Sequence, residues 1–312
     1  MAAGAQATEP AFPTRPMRFV VPFPPGTTTD VVARLVALRA GERLGQQVVV
    51  DNRSGASGTI GVETVARAAP DGYTWGLGTT TTHALAHILN PKLGYDPVRD
   101  FAPVGQVGVT PIVLAVHPSV PARDVQSLVA LLKANPRKYS YGSSGMGSIL
   151  HLCGEQFKAL AGGLQITHVP YRGSAPMMGD LVGGQISMAF DATPTAMPQA
   201  QSGAIRALGA GTAERMRAMP ELATLSEQGL KGFDCYTWNA ILAPAGTPPA
   251  IVDKLAAAIV KALEDPVVFR RLQEAGVDPT PGRGPKETAD FIKAELAKWA
   301  PIIKASGAQV TN

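Results

Sequence analysis

Apolar positions along the chain follow two alternating rhythms. Residues 17–23 (MRFVVPF) are a short apolar run, the pattern of a buried strand. Pro24-Pro25-Gly26-Thr27-Thr28-Thr29-Asp30 then combines a turn with helix-start residues. Val31, Leu35 and Leu38 recur at i, i+4, i+7, the spacing of one helix face. The order repeats: 47–50 predicts a second strand, 53–58 a second tight loop, and 59–68 a second helix closed by Pro70-Asp71-Gly72. Residues 73–77 predict a third strand, followed by Gly78-Thr79-Thr80-Thr81-Thr82 and another helical stretch. Strand, loop and helix in this succession predict a parallel, doubly wound sheet.

A branched run at 111–116 leads into Pro118 and Pro121, and the rhythm restarts. Helices are predicted at 127–134 and 148–160, and a third ends at Leu181; strands are predicted at 139–141, 166–169 and 186–190. Loops 142–147 and 170–175 follow the first two of these strands, so a second α/β unit occupies roughly 113–238. The last seventy residues are mostly helical. Ile251, Leu255, Ile259 and Leu263 form one apolar stripe, opened by Pro248-Pro249. Ile292, Leu296, Trp299 and Ile303 form another, and both read as core.

Length and composition narrow the classes. A chain of 312 residues has room for two domains with real cores. Its 33 glycines and 27 prolines, beside only 17% charged residues, mean many tight loops rather than disorder. A formal charge of +4, evenly scattered, gives no nucleic-acid footprint. The longest uncharged stretch, 101–122, is broken by four prolines, so no membrane-spanning helix is expected. Ala2-Ala3-Gly4-Ala5-Gln6-Ala7 has the small-residue character of a signal-peptide cleavage region, which suggests an exported protein written without its leader. Cys153 and Cys235 are isolated, so they form no metal or redox motif; they either pair in an oxidising compartment or stay as buried thiols.

The chemistry concentrates in four loops: 23–30, 54–58, 78–82 and 142–148. All are small, hydroxylated and glycine-rich, and none contains Lys or Arg. In a doubly wound sheet they lie together at the carboxyl ends of the strands. Each opens a helix, so free N–H groups and the positive dipole end favour an anion without a buried cationic side chain. Enzyme motifs fail: Met146 replaces the last glycine of a G-x-S-x-G elbow, and no phosphate-binding or dinucleotide fingerprint is complete. His83 and His87 stand four apart but lack nearby further ligands, so no metal and no cofactor are expected. A Ser143 or Ser144 nucleophile with His151 lacks an evident orienting acid.

The same residues resemble a known family. Val20-Val21-Pro22-Phe23-Pro24-Pro25-Gly26 with Asp30, then Asp51-Asn52-Arg53-Ser54-Gly55-Ala56-Ser57-Gly58, resemble the Bug-type (TctC-like) periplasmic solute-binding proteins of tripartite tricarboxylate transporters. Tyr141-Gly142-Ser143-Ser144-Gly145-Met146-Gly147-Ser148, His168-Val169-Pro170-Tyr171-Arg172-Gly173 and Glu295-Leu296-Ala297-Lys298-Trp299 continue the match through 17–307. The resemblance implies a Venus-flytrap: two doubly wound α/β domains, 17–112 with 239–312 and 113–238, joined by crossing strands. It implies that Phe23, Gly26, Thr27, Thr28 and Asp30, with Gly55, Ala56, Ser57 and Gly58, grip one carboxylate. Ser143, Ser144, Gly145, Met146 and Gly147 would take the ligand's other end, with Tyr171, Arg172 and Asp191 nearby.

Threonines stand where the family's first loop often has glycines, and Thr80, Thr81 and His83 add polar groups beside the cleft. A hydroxyl-rich cleft with few acids suits a dicarboxylate, including a rigid aromatic one such as terephthalate. An amino-acid ligand would need an acid by its ammonium, for which Asp191 could serve, or Asp191 only holds a loop. The implied role is capture of a small carboxylate in the periplasm by a monomer, for delivery to membrane transporter subunits without insertion into the bilayer. A sensor receptor or a serine-dependent hydrolase are the other readings.

Overall fold

The first apolar run forms β1 (Met17–Val21), buried on both faces: Met17, Phe19 and Val21 enter one core and Val20 another. Two-sided burial is what a parallel strand covered by helices on both sides requires. The computed structural model describes residues 12–217 and 219–306, so the small-residue stretch at 2–7 lies outside them. After β1 come α1 (Thr28–Leu44), β2 (Val48–Asn52), a 3-10 turn at Ala56–Gly58, α2 (Thr59–Ala66) and β3 (Thr74–Thr79). A π-helical turn (Thr81–Leu85) runs into α3 (Ala86–Leu89) and then β4 (Phe101–Val116). The second unit holds α4 (Val125–Ala134), β5 (Ser140–Ser143), α5 (Ile149–Leu160), β6 (Thr167–Pro170), α6 (Ser174–Val182), β7 (Met188–Ala192), α7 (Thr193–Gln201) and β8 (Arg206–Ala210). The chain returns through β9 (Tyr236–Pro244) to α8 (Pro249–Leu263), α9 (Pro266–Glu274), β10 (Asp278–Pro279) and α10 (Pro285–Ser306).

The strands make two α/β lobes that share β4. In the first, β1 pairs in parallel with β2 and β3; β3 then pairs antiparallel with β9, and β9 with β4. In the second, the end of β4 pairs antiparallel with β7 and β8, and β5 lies parallel between β7 and β6. β4 and β9 are therefore the crossing strands. The chain passes between lobes at Pro111–Ile112 on β4 and at Tyr236, where β9 begins beside Pro111. The two-lobed, Venus-flytrap architecture is thus present.

Three local readings differ. β4 starts ten residues before Pro111, because its prolines sit where ladder bonds are dispensable: Pro103 at a bulge and Pro111 at the crossing. On α1, Val31 and Leu38 face outward, at 37% and 62% exposed. The buried stripe runs instead through Val32, Ala33, Val36, Ala37 and Ala40, small residues that let α1 and α8 approach closely. α7 was hidden by Pro194 and Pro198, which read as breakers although one opens the helix. Among the described residues no helix is long and apolar enough to cross a membrane.

Candidate functional site

The loop after β1 is built by local capping. Thr27 caps α1, its hydroxyl accepting the Asp30 N–H at 3.4 Å. The buried Asp30 carboxylate reaches back to the Gly26 N–H (2.9 Å) and also accepts from Asn52 Nδ2 (2.9 Å) and Arg34 Nε (3.0 Å). Asn52 donates to the Phe23 carbonyl as well (2.9 Å), so the loops after β1 and β2 are tied through one amide. Burial alone would raise the Asp30 pKa, but the bonds from Arg34, Gly26 and Asn52 outweigh it and hold the carboxyl below its usual range.

The loop after β2 is the strained one. Gly55, Ala56, Ser57 and Gly58 all have positive φ, at 134°, 46°, 55° and 93°. Two of these are not glycine, and a non-glycine residue held there costs of order 1 kcal/mol or more. Such consecutive turns point backbone N–H groups into one concavity, the arrangement that receives an anion. A Cβ on Gly58 would come within 2.9 Å of Thr82 Cγ2 and 3.1 Å of Phe23 Cζ, so three loops converge where only glycine fits.

Across from them, the loop after β5 is zipped to the segment after β6: the Tyr171 N–H donates to the Ser143 carbonyl (3.0 Å) and the Gly173 N–H to that of Ser144 (3.2 Å). Ser148 caps α5 through the His151 N–H (3.3 Å) and donates its hydroxyl to the Gly145 carbonyl (2.7 Å). Between the lobes lies a cavity of about 160 Å³. Of the expected residues, Ala56, Ser57, Thr81, Met146 and Gly147 line it. Thr59, Ala86, Leu89, Asn90 and Leu93 line it too, and sequence reasoning missed them. Their signal was weak, because the π-turn that carries the chain into α3 has no sequence period of its own.

Several expected residues turn away. Thr80 is buried and accepts the Trp238 N–H of β9 (3.2 Å), so it fastens a crossing strand. His83 is also buried, edge-on to Phe101 with ring centroids 4.8 Å apart, and its Nδ1 meets the Thr82 hydroxyl at 3.0 Å. It therefore stands beneath the threonine loop rather than beside a ligand. Asp191 is buried and accepts from Ser174 Oγ (2.7 Å), Thr195 Oγ1 (2.5 Å) and the Ala192 N–H (2.9 Å). It staples the starts of α6 and α7, and every oxygen is occupied by a neutral donor, which is no seat for an ammonium group. Tyr171 gives its hydroxyl proton to Asp180 Oδ2 (2.7 Å), while Arg172 is exposed with no ion pair among the described residues. Ser143 is buried and pairs with His168 Nε2 at 2.7 Å, not with His151. Asn52 and Arg34, absent from the expected set, were findable as polar groups at a strand end and one turn after Asp30.

The burial of His83 has a consequence for acid stability. With no polar partner on Nε2, burial lowers its pKa to about 3. Below the ordinary value of 6.5 the unfolded chain binds this proton and the folded chain does not, so stability falls as pH falls. By about pH 5 the loss from this residue alone is roughly 2 kcal/mol. Melting curves between about pH 7.5 and 5 should therefore be steeper for the natural chain than for His83→Phe; parallel curves would refute the assignment.

Comparison with known proteins agrees with this fold. The family model for the tripartite tricarboxylate transporter family receptor matches residues 32–308. The chain is 35% identical to Protein BugT of Bordetella pertussis, over 98% of this chain and 94% of that one. Among solved structures it is similar to R. palustris Rpa4515 with adipate, at a TM-score of 0.85 and 39% identity, covering 96% and 100% of the two chains. It is also similar to MatC (Rpa3494) from Rhodopseudomonas palustris with bound malate, at 0.81 and 34%, covering 94% and 100%. With family, fold and whole-length relatives in agreement, the chain belongs to the tripartite tricarboxylate transporter receptor family of periplasmic solute-binding proteins.

Proposed function

We propose that this chain captures a small dicarboxylate between its lobes and delivers it to membrane subunits of a tripartite transporter. The observation that carries this reading is the convergence of three anion-favouring backbone loops at Gly58, two of which, after β2 and β3, line a cavity whose opposite wall is Met146–Gly147. One carboxylate sits on the N–H groups of the loops after β1 and β2, held ready by Asp30. The other meets the loop after β5, with Ser144 and the exposed guanidinium of Arg172 near that end.

Ala86, Leu89, Leu93 and Met146 give the cavity apolar wall, beside the polar Ser57, Thr59, Thr81 and Asn90. A cavity of that size accommodates a benzene-sized body. Buried apolar wall rewards methylenes or a ring at about 25 cal/mol per Å². The apolar side chains favour adipate-like and terephthalate-like acids, while the relatives solved with adipate and with malate support the dicarboxylate class as a whole. Closure is a hinge motion of the second lobe against the first, at the crossings near Ile112 and Tyr236.

Calorimetric titration with adipate, terephthalate, malate and glutamate tests the reading. The first two should bind at least tenfold more tightly than malate. Asp30→Ala should weaken them tenfold or more, because the Gly26 amide and Arg34 lose their acceptor and the loop its shape. A chain that binds none of the four, or an Asp30→Ala variant with unchanged affinity, would overturn it.

A further inference from the structure

α5 opens as α1 does, with one substitution of chemistry. Thr27 and Ser148 cap the two helices, and each accepts the N–H of the residue three places on, Asp30 or His151. A glycine with φ near 80° precedes each cap, Gly26 at 82° and Gly147 at 73°. Gly26 donates its N–H to Asp30 Oδ2 (2.9 Å), and Gly147 donates its own to His151 Nδ1 (3.2 Å). One turn later stands a group of opposite sign, Arg34 against Asp30 and Glu155 at 3.9 Å from His151 Nε2. The neighbouring strand completes each cluster, with Asn52 on Asp30 and His168 stacked on His151 at 4.2 Å.

We propose that His151 positions the second lobe's ligand loop by accepting the Gly147 N–H, so that ligand affinity falls when this imidazole is protonated. The proposal rests on the reading of that loop as a ligand-binding element. A carboxylate such as Asp30 accepts hydrogen bonds throughout the neutral range, whereas a protonated imidazole is a donor only. The Gly147 amide would then face an N–H, and Met146 and Gly147, both lining the cavity, would lose their tie. The Gly145 N–H hangs on the same pair one step removed, through Ser143 Oγ (3.2 Å), which His168 holds.

The groups facing the two rings are few. Glu155 and Lys158 come from α5, Tyr141 and Ser143 from β5, and Pro301 and Ile302 of α10 share a pocket with Glu155 and Lys158. Glu155 already accepts from Lys158 (2.8 Å) and Tyr141 (2.6 Å), so its charge is partly spent before it meets His151. Burial, against the pull of Glu155, holds His151 below the usual histidine range; His168 lies at about 4, lowered by burial and by His151. Both rings are neutral at pH 7, and acidification charges them.

The test compares the natural chain with His151→Asn, whose side-chain oxygen can accept the same N–H without titrating. Affinity for adipate, measured where both proteins are folded, should be within threefold between them at about pH 7.5. As pH is lowered below the usual histidine range, the natural chain should lose affinity faster than the variant, by at least threefold at the lowest pH where both stay folded; the ligand's own carboxyls titrate alike with both and cancel. His151→Leu should bind weakly at every pH. Parallel pH profiles, or normal binding by His151→Leu, would overturn the proposal. If no acid binds at about pH 7.5, the functional reading fails instead, and the ligand-free chain still decides: the Gly147 amide resonance should move with the His151 ring titration and stay fixed in His151→Asn. An amide indifferent to that titration refutes the tie itself.

Discussion

Cys153→Ala combined with Cys235→Ala is expected to lower stability by roughly 4 kcal/mol. The two residues form a disulfide across 82 positions of sequence, with Cα atoms 5.7 Å apart. It joins α5 to the residue that leads into β9, and both half-cystines are fully buried. A cross-link of that span removes a large set of conformations from the unfolded chain, and that is the main source of its effect. The bond also fits an oxidising compartment, as the family's periplasmic location implies. Urea unfolding of the double variant should show a lower midpoint, and ligand affinity at low denaturant should be unchanged because neither cysteine lines the cavity. A midpoint equal to that of the natural chain would sink the prediction.

Glu295→Leu should cost about as much, roughly 3–5 kcal/mol, because it strips buried donors of the carboxylate they share. The Glu295 carboxylate is nearly inaccessible and accepts from Tyr236 Oη (3.0 Å), Trp238 Nε1 (2.9 Å), Trp299 Nε1 (3.3 Å) and Lys298 Nζ (3.3 Å). Tyr236 and Trp238 belong to crossing strand β9, so this one side chain fastens α10 to the strand that passes between lobes. Leucine fills the space but leaves two indole N–H groups and a phenol without their acceptor, while Lys298 keeps Asp234 Oδ2 at 2.7 Å. Glu295→Gln keeps one oxygen and should lose well under half as much. Thermal unfolding of both variants decides it: if Leu and Gln behave alike, packing and not the anion holds α10 in place.

These two predictions concern groups that pattern reading passed over. Glu295 stands out in the sequence only within the family resemblance, and the isolated cysteines fit either thiols or a bridge. Nothing in a sequence period says that positions 153 and 235 meet, since their encounter depends on how α5 and β9 pack. The same limit explains Thr80, His83 and Asp191. Each sits at a strand end where a ligand group belongs, yet each is turned inward by a partner distant in sequence or by the path of the π-turn. The cavity wall at Ala86, Leu89 and Leu93 had no local marker either, because only the opposing Met146 makes it a wall.

What the sequence determined by itself was local. Alternation of short apolar runs with capped helices set the two α/β units. Thr27 with Asp30, and Ser148 with His151, encode their loops within four residues, because a helix's first N–H groups must find acceptors nearby. The succession Gly55-Ala56-Ser57-Gly58 likewise marked the strained turn. Tertiary structure decided everything that needed two distant segments: the full length of β4 with its tolerated prolines, the disulfide, the Glu295 hub, and which of several threonines reach the cavity. The reason is physical. Capping and periodicity are satisfied within one turn or one strand, whereas a buried polar group is satisfied by whatever neighbour the fold delivers.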